Sequence, residues 1–145
     1  MAISALELAK YILNKSDKEL SNLELQKTLY FTELDYIENF NEHLIADDFE
    51  AWQYGPVVRE VYGEYRNYGA NSIDKPEKET LLGLDEKKLE VINQSIEKCN
   101  KKSYWKLVEE SHRDGGAWKK SFKEGKKEII SKALIKQEAK NNNGF

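Results

Sequence analysis

The sequence holds one cysteine, Cys99, and only two histidines, His43 and His112, far apart in the chain. One thiol closes no internal disulfide, and no Cys/His cluster has zinc-ligand spacing, so a reducing cytoplasm is the natural setting. No apolar run approaches the roughly 18–20 residues that span a bilayer. The opening MAISALELAKYILNKSDKEL has neither a basic leader nor a small-residue cleavage site, so no signal peptide is expected. There is no G-x-S-x-G, no P-loop and no H-E-x-x-H, which leaves the usual hydrolase, nucleotide and metalloprotease signatures unfilled. Ser111 and His112 are adjacent, but helical neighbours point about 100° apart and form no relay. The carboxylates of Asp47, Asp48 and Glu50 fall short of the six to eight oxygens that calcium takes and read as a solvated turn. No catalytic residue, metal or cofactor is therefore expected.

What is present is charge and aromatic surface. The chain has 145 residues and a net charge of −3, about one domain's worth. That charge is polarised. Residues 1–100 carry 11 basic and 20 acidic side chains, net −9, and residues 101–145 carry 12 and 6, net +6. The acidic pI near 5.6 argues against a protein that coats nucleic acid by charge alone. Three Trp, eight Tyr and five Phe, each able to bury about 150–250 Å², supply a core.

The fold class expected is mainly α (α+β): a compact domain of about six helices over residues 1–140, with one short β-hairpin packed on it. Residues 141–145 should fray. Ala5, Leu8, Ala9 and Ile12 set a helix over 3–14. Ser21-Asn-Leu-Glu24 has capping-box form and opens a helix reaching about Asn39, apolar on more than one face and hence central. His43-Leu-Ile45 and Phe49–Tyr54, parted by Ala46-Asp-Asp48, read as the two arms of the hairpin. Gly55-Pro56 then ends the strand, with Pro56 at the first position of a helix that carries Val57, Val58, Val61, Tyr62 and Tyr65 and closes at Tyr68-Gly69. Asp85 and Ser103 cap two further helices, the first with Leu89, Ile92, Ile96 and Cys99 inward. Trp118 and Phe122 begin a short segment. A last helix over 125–140 turns Ile129, Ile130, Ala133 and Leu134 inward.

The most singular stretch is Phe49-Glu-Ala-Trp-Gln-Tyr-Gly-Pro-Val-Val58. Period two puts Trp52 and Tyr54 on one side and Phe49 and Ala51 on the other. Either both sides are buried between helices, or the Trp/Tyr side is a recognition surface, since Trp and Tyr dominate binding hot spots. Cys99 reads as a small core residue and His112 as a structural hydrogen-bonder near a helix end. The run from Lys119 to Lys127 interleaves five lysines with Phe122 but lacks the arginine that usually reads bases, and reads as a solvated lysine face.

Three groups of residues together resemble a known family. They are Leu25-Gln26-Lys27-Thr28-Leu29-Tyr30, then Asp48 to Val58 followed by Val61-Tyr62 and Tyr65 to Gly69, and finally Leu107, Ser111-His112 and Trp118. These are similar to the Panacea domain, also called the SocA-like or GepA-like phage-associated domain, over about residues 3–136. Thr28 stands where the family usually has Leu, Ser111 where it has Thr, and Gly-Gly-Ala precedes Trp118. The resemblance implies a mostly helical fold and an antitoxin-like module that neutralises a bacterial or prophage toxin by direct contact. An alternative is a proteolytic adaptor that hands a toxin to a protease through the basic segment 119–145. Another is a phage protein bound to a host factor. With no length left for an added DNA-binding domain, autoregulation is not expected. Trp52, Tyr54, Arg59, Tyr62 and Trp118 are the residues expected to contact or shape the partner surface. Leu25, Gln26, Lys27, Tyr30, Gly55, Pro56, Val57, Tyr65, Gly69 and His112 are expected as structural parts of the motifs. A protein partner is expected, with no membrane and no nucleic acid. An enzyme would instead need a pocket joining His112 to a carboxylate.

Overall fold

In the computed structural model, which describes residues 2–78 and 82–141, the chain is mainly α with a small antiparallel sheet. The described elements run α1 (Ala5–Lys15), α2 (Asn22–Phe40), β1 (Phe49–Trp52), β2 (Gly55–Val57) and α3 (Arg59–Glu64). A 3-10 turn, Arg66–Tyr68, follows, and then α4 (Glu86–Asn100), α5 (Tyr104–Ser111), α6 (Ala117–Ser121), β3 (Glu128–Ile130) and α7 (Lys132–Asn141). No helix among the described residues is long and apolar enough to cross a membrane.

Helix α2 organises the rest. The Ser21 hydroxyl accepts from Glu24 N–H at 3.2 Å while the Glu24 carboxylate accepts from Ser21 N–H at 2.9 Å, the expected capping box. Ser21→Ala should cost about 1 kcal/mol, read as a shift of the denaturant midpoint at unchanged slope. Fourteen of the helix's nineteen residues are buried, so α2 has no solvent face and α1, α4, α7 and the sheet pack around it. Full burial of Phe31 and Leu29 contributes about 1.5–3 kcal/mol each. Ser4, Asp85 and Ser103 cap α1, α4 and α5 through hydrogen bonds from the N–H three residues on. Cys99 is core, and burial pushes its thiol up to about 12.

The sheet differs from the sequence reading in three places. Residues 43–45 are not a hairpin arm. Buried Glu33 takes two of their N–H groups, accepting from Leu44 at 2.7 Å and Ile45 at 3.2 Å, and Ile45 forms only an isolated bridge with Ile3. The true hairpin is β1 with β2, in register Glu50↔Val57, Ala51↔Pro56, Trp52↔Gly55. Pro56 is thus a strand residue and not the first residue of a helix. It is tolerated because β2 lies at the edge of the order β2-β1-β3, where a missing N–H breaks no interior ladder. The helix starts at Arg59, after Val58.

Finally, 128–130 is a third strand, not the start of the last helix. Phe49↔Ile130 and Ala51↔Glu128 pair it to β1, which leaves Ile129 exposed and Ile130 buried. Helix α7 buries Ile135, Glu138 and Ala139, with Leu134 half-buried against the core as expected, whereas Ala133 is exposed. β3 and α7 are therefore part of the packed body, while residues 123–127 before them are exposed. The expected fraying at 141–145 lies, beyond Asn141, outside the described residues.

Candidate functional site

The β1–β2 turn is two residues long, Gln53-Tyr54, and both keep negative φ, so Gly55 at φ +125 absorbs the reversal. Three distant side chains fasten the hairpin by its backbone, at Trp52 before the turn, at Tyr54 within it and at Val58 just past β2. Gln26 Oε1 accepts from Val58 N–H at 2.9 Å. The Lys27 ammonium donates to the Tyr54 carbonyl. Trp118 Nε1 donates to the Trp52 carbonyl at 2.7 Å. Trp118 itself is stacked between His112 (3.7 Å between ring centres, 8°) and Phe122 (4.8 Å, 17°). It is only 6% exposed, so of the two roles expected for it, contact and shaping, the geometry leaves shaping. Under the turn lie Ser111 and His112; Tyr30 reaches away to Glu138, which also accepts from Ala117 N–H at 3.1 Å and Arg113 at 2.9 Å.

The turn presents what it holds. Phe49 and Ala51 are buried, Trp52 is half-buried, and Tyr54 is 54% exposed. Trp52 and Tyr54 do not continue one strand face, because the strand stops at Trp52. The Trp52 ring lies 4.9 Å from Tyr62, with the Arg59 guanidinium 5.7 Å and the Lys127 ammonium 4.1 Å from its centre. Trp52 Nε1 donates to Glu50 at 2.9 Å, and Arg59 grips the same carboxylate through Nε at 3.0 Å and Nη2 at 2.8 Å. Burial pushes the Glu50 carboxyl up, but the hydrogen bonds from Arg59 and Trp52 outweigh it and hold it below the usual range. Beside Tyr62 lies a groove of about 490 Å³ whose lining includes Glu24, Ser72 and Tyr104. Trp105 packs edge-on to Tyr104 at 5.2 Å and is 75% exposed. Sequence reasoning had no place for these two on the partner surface. The signal was available: Leu107 and Ser111 mark the inner face of α5, and Trp105, two residues before Leu107, falls on the opposite side. Tyr65 is half-buried against the core. Gly69 ends the 3-10 turn at φ +59 and ψ −128, a conformation open to glycine but not the left-handed helical cap expected there. Leu25, Pro56 and Val57 are buried.

Lys27 is the costly element. It is fully buried, and among the described residues no carboxylate lies within ion-pairing distance. Burial lowers its pKa from 10.5 to about 8. Burial also lowers His112, with the Lys27 charge adding to the effect. Between pH 8 and 10.5 the unfolded chain binds a proton on Lys27 that the native chain releases. Its contribution to stability therefore rises with pH across that window, by on the order of 3 kcal/mol in full, and is flat below it. Cys99 acts oppositely above about pH 9, where the unfolded thiol ionises. The measurement is thus a difference: unfolding free energy of wild type minus that of Lys27→Met should increase from pH 7.5 to 9.5. A pH-independent difference would show that Lys27 does not titrate with folding.

Among the described residues no group of three or more His, Cys, Asp or Glu is placed to hold a metal ion. What the geometry offers is a rigidly backed turn with a graded aromatic surface. The chain belongs to the family described as Antitoxin SocA-like, Panacea domain, whose model matches residues 25–119. It is also similar to Antitoxin SocA of Caulobacter vibrioides (strain NA1000 / CB15N), 32% identical over 130 residues, covering 81% of this chain and 69% of the relative. No solved structure matches the chain. The matched span begins with Leu25-Gln26-Lys27 and ends just past Trp118, so it starts and finishes on the side chains that pin the turn. This membership supports an antitoxin role in general terms.

Proposed function

We propose that the chain is a non-enzymatic antitoxin that neutralises a protein toxin by covering its working surface with the β1–β2 turn and the aromatic surface around it. The observation that carries this reading is the pinned turn. Three buried or half-buried side chains from α2 and α6 hold the backbone of its hairpin, so Trp52 and Tyr54 meet a partner with little entropy left to lose. A stable interface buries roughly 1,200–2,000 Å² in total, which the stretch from Trp52 past Tyr62 to Trp105 is suited to supply.

The test is co-expression of the chain with the product of the adjacent open reading frame in a host whose growth that product arrests. Growth should return with the wild-type chain. It should fail with a Trp52→Ala, Tyr54→Ala double variant that accumulates to the same level. Equal rescue by the double variant would contradict the proposal.

The adaptor reading differs in needing turnover of the toxin. Truncation after Leu134 does not probe it, because the cut removes Ile135, Glu138 and Ala139 from the interior. Following toxin levels after a translation block separates the two: under occlusion the toxin persists while growth recovers.

A further inference from the structure

We infer that the groove beside Trp52 receives an acidic segment of the protein partner, docked with its carboxylates on the lysine rim and an apolar side chain on the aromatic wall. The inference rests on the reading that the hairpin faces that partner. The groove, about 710 Å³, runs between Gln53 of the turn and the loop carrying Phe122, Glu124, Lys126 and Lys127. Its wall is aromatic, since Phe122 stacks on the Trp118 that pins the turn. Lys126 and Lys127 line it against the single Glu124, and the run they belong to, residues 119–127, holds five lysines against one glutamate.

Ion pairing separates these lysines from others in the chain. Lys88, Lys98, Lys101, Lys102, Lys106 and Lys132 each meet a carboxylate within 4.0 Å. Among the described residues, neither the lining lysines Lys126 and Lys127 nor their neighbours Lys119, Lys120 and Lys123 do so. Lys127 is instead spread over the Trp52 ring, joining the charged rim to the aromatic turn. Lysine charge held outside any ion pair, beside an aromatic anchor, steers and orients an oppositely charged partner.

A protein segment fits better than a nucleic acid. A duplex carries one charge per roughly 1.7 Å of axis and would run past this patch onto a body whose first 100 residues sum to −9. The patch also holds no arginine, the residue that usually reads bases. A short acidic segment ends where the lysines end.

The experiment uses the full chain and fluorescence anisotropy. The probes are a short labelled peptide alternating Glu with Phe and Leu, the same peptide with Lys for Glu, and a single-stranded oligonucleotide. The acidic peptide should bind at least about tenfold more tightly than its lysine counterpart. A Lys123→Glu, Lys126→Glu variant, which leaves Trp52 and Lys127 in place, should weaken that binding by at least about tenfold while melting at the wild-type temperature.

Equal binding of the two peptides, no effect of the charge reversal, or tighter binding of the oligonucleotide would overturn the inference. The growth assay keeps the two readings apart. If the acidic peptide fails while the Trp52→Ala, Tyr54→Ala variant loses rescue, the groove inference falls and the antitoxin reading stands. If that variant rescues growth fully, the antitoxin reading falls and the inference falls with it.

Discussion

Gly55→Ala should destabilise the chain by about 3 kcal/mol or more, the largest effect expected of an alanine at any of the described glycines. Two causes add. At φ +125 an L side chain is strained whatever surrounds it, at about 1–3 kcal/mol. The space is also taken: a Cβ at Gly55 would run into the Lys27 ammonium and lie 3.2 Å from Lys27 Cε and 3.3 Å from Ser111 Oγ. Lys27 has nowhere to swing, because it is fully buried. The steric part should be relieved by shortening the obstacle. Lys27→Ala in the Gly55→Ala background should recover part of the loss, whereas the same change alone destabilises by leaving the Tyr54 carbonyl without its donor. Denaturant titration of the four proteins gives the coupling. Additive losses would mean that the two residues do not share the space.

Trp118→Ala is the second large effect. A buried Trp truncated to Ala costs about 3–5 kcal/mol, and here the change also frees the Trp52 carbonyl and unstacks His112 and Phe122. Trp118→Phe separates the causes. It keeps a ring in the stack and removes the N–H donor, so its cost should be only about 1–3 kcal/mol. If Trp118 acts by pinning the turn, the Phe variant should remain folded at growth temperature yet bind the partner more weakly, since the turn has lost one of three fasteners. Unchanged affinity in the Phe variant would show that Gln26 and Lys27 suffice.

Much of this architecture was legible locally. The capping box at Ser21, the caps at Asp85 and Ser103, and the inward Ile92–Cys99 stripe depend on residues within a turn or two of one another, which periodicity reports. Helix α2 was read as central from its apolar positions, yet its buried polar residues were not foreseen. Gln26, Lys27, Glu33 and Asp35 look like an ordinary solvated face until partners from elsewhere in the chain reach them.

The strands failed for a related reason. β2 and β3 are three residues each, too short to show a period, and both exist because β1 lies between them. Ile129-Ile130 satisfies a helical pattern as readily as a strand pattern, and the pairing with Phe49 and Glu50 decides it. Pro56 carried two meanings, helix start or sheet edge, and only the neighbouring Ala51 selects the second.

The site shows the same division. Trp52 and Tyr54 were visible from composition, and the family motifs named Gln26, Lys27 and Trp118. The reason these belong together, three hydrogen bonds to one hairpin from residues 27 to 66 positions away, has no local trace.

The central claim is that the pinned turn is the partner-binding surface. Its most direct test is isothermal titration of the purified toxin, the one whose growth arrest the chain relieves, against wild type and Trp52→Ala. The half-buried indole lies outside the main core, so the variant should melt close to wild type while losing about 2–4 kcal/mol of binding, a weakening of roughly 30- to 1,000-fold. Undiminished affinity in a folded Trp52→Ala protein would contradict the claim, as would a variant that fails to fold, because Trp52 would then belong to the core and not to the surface.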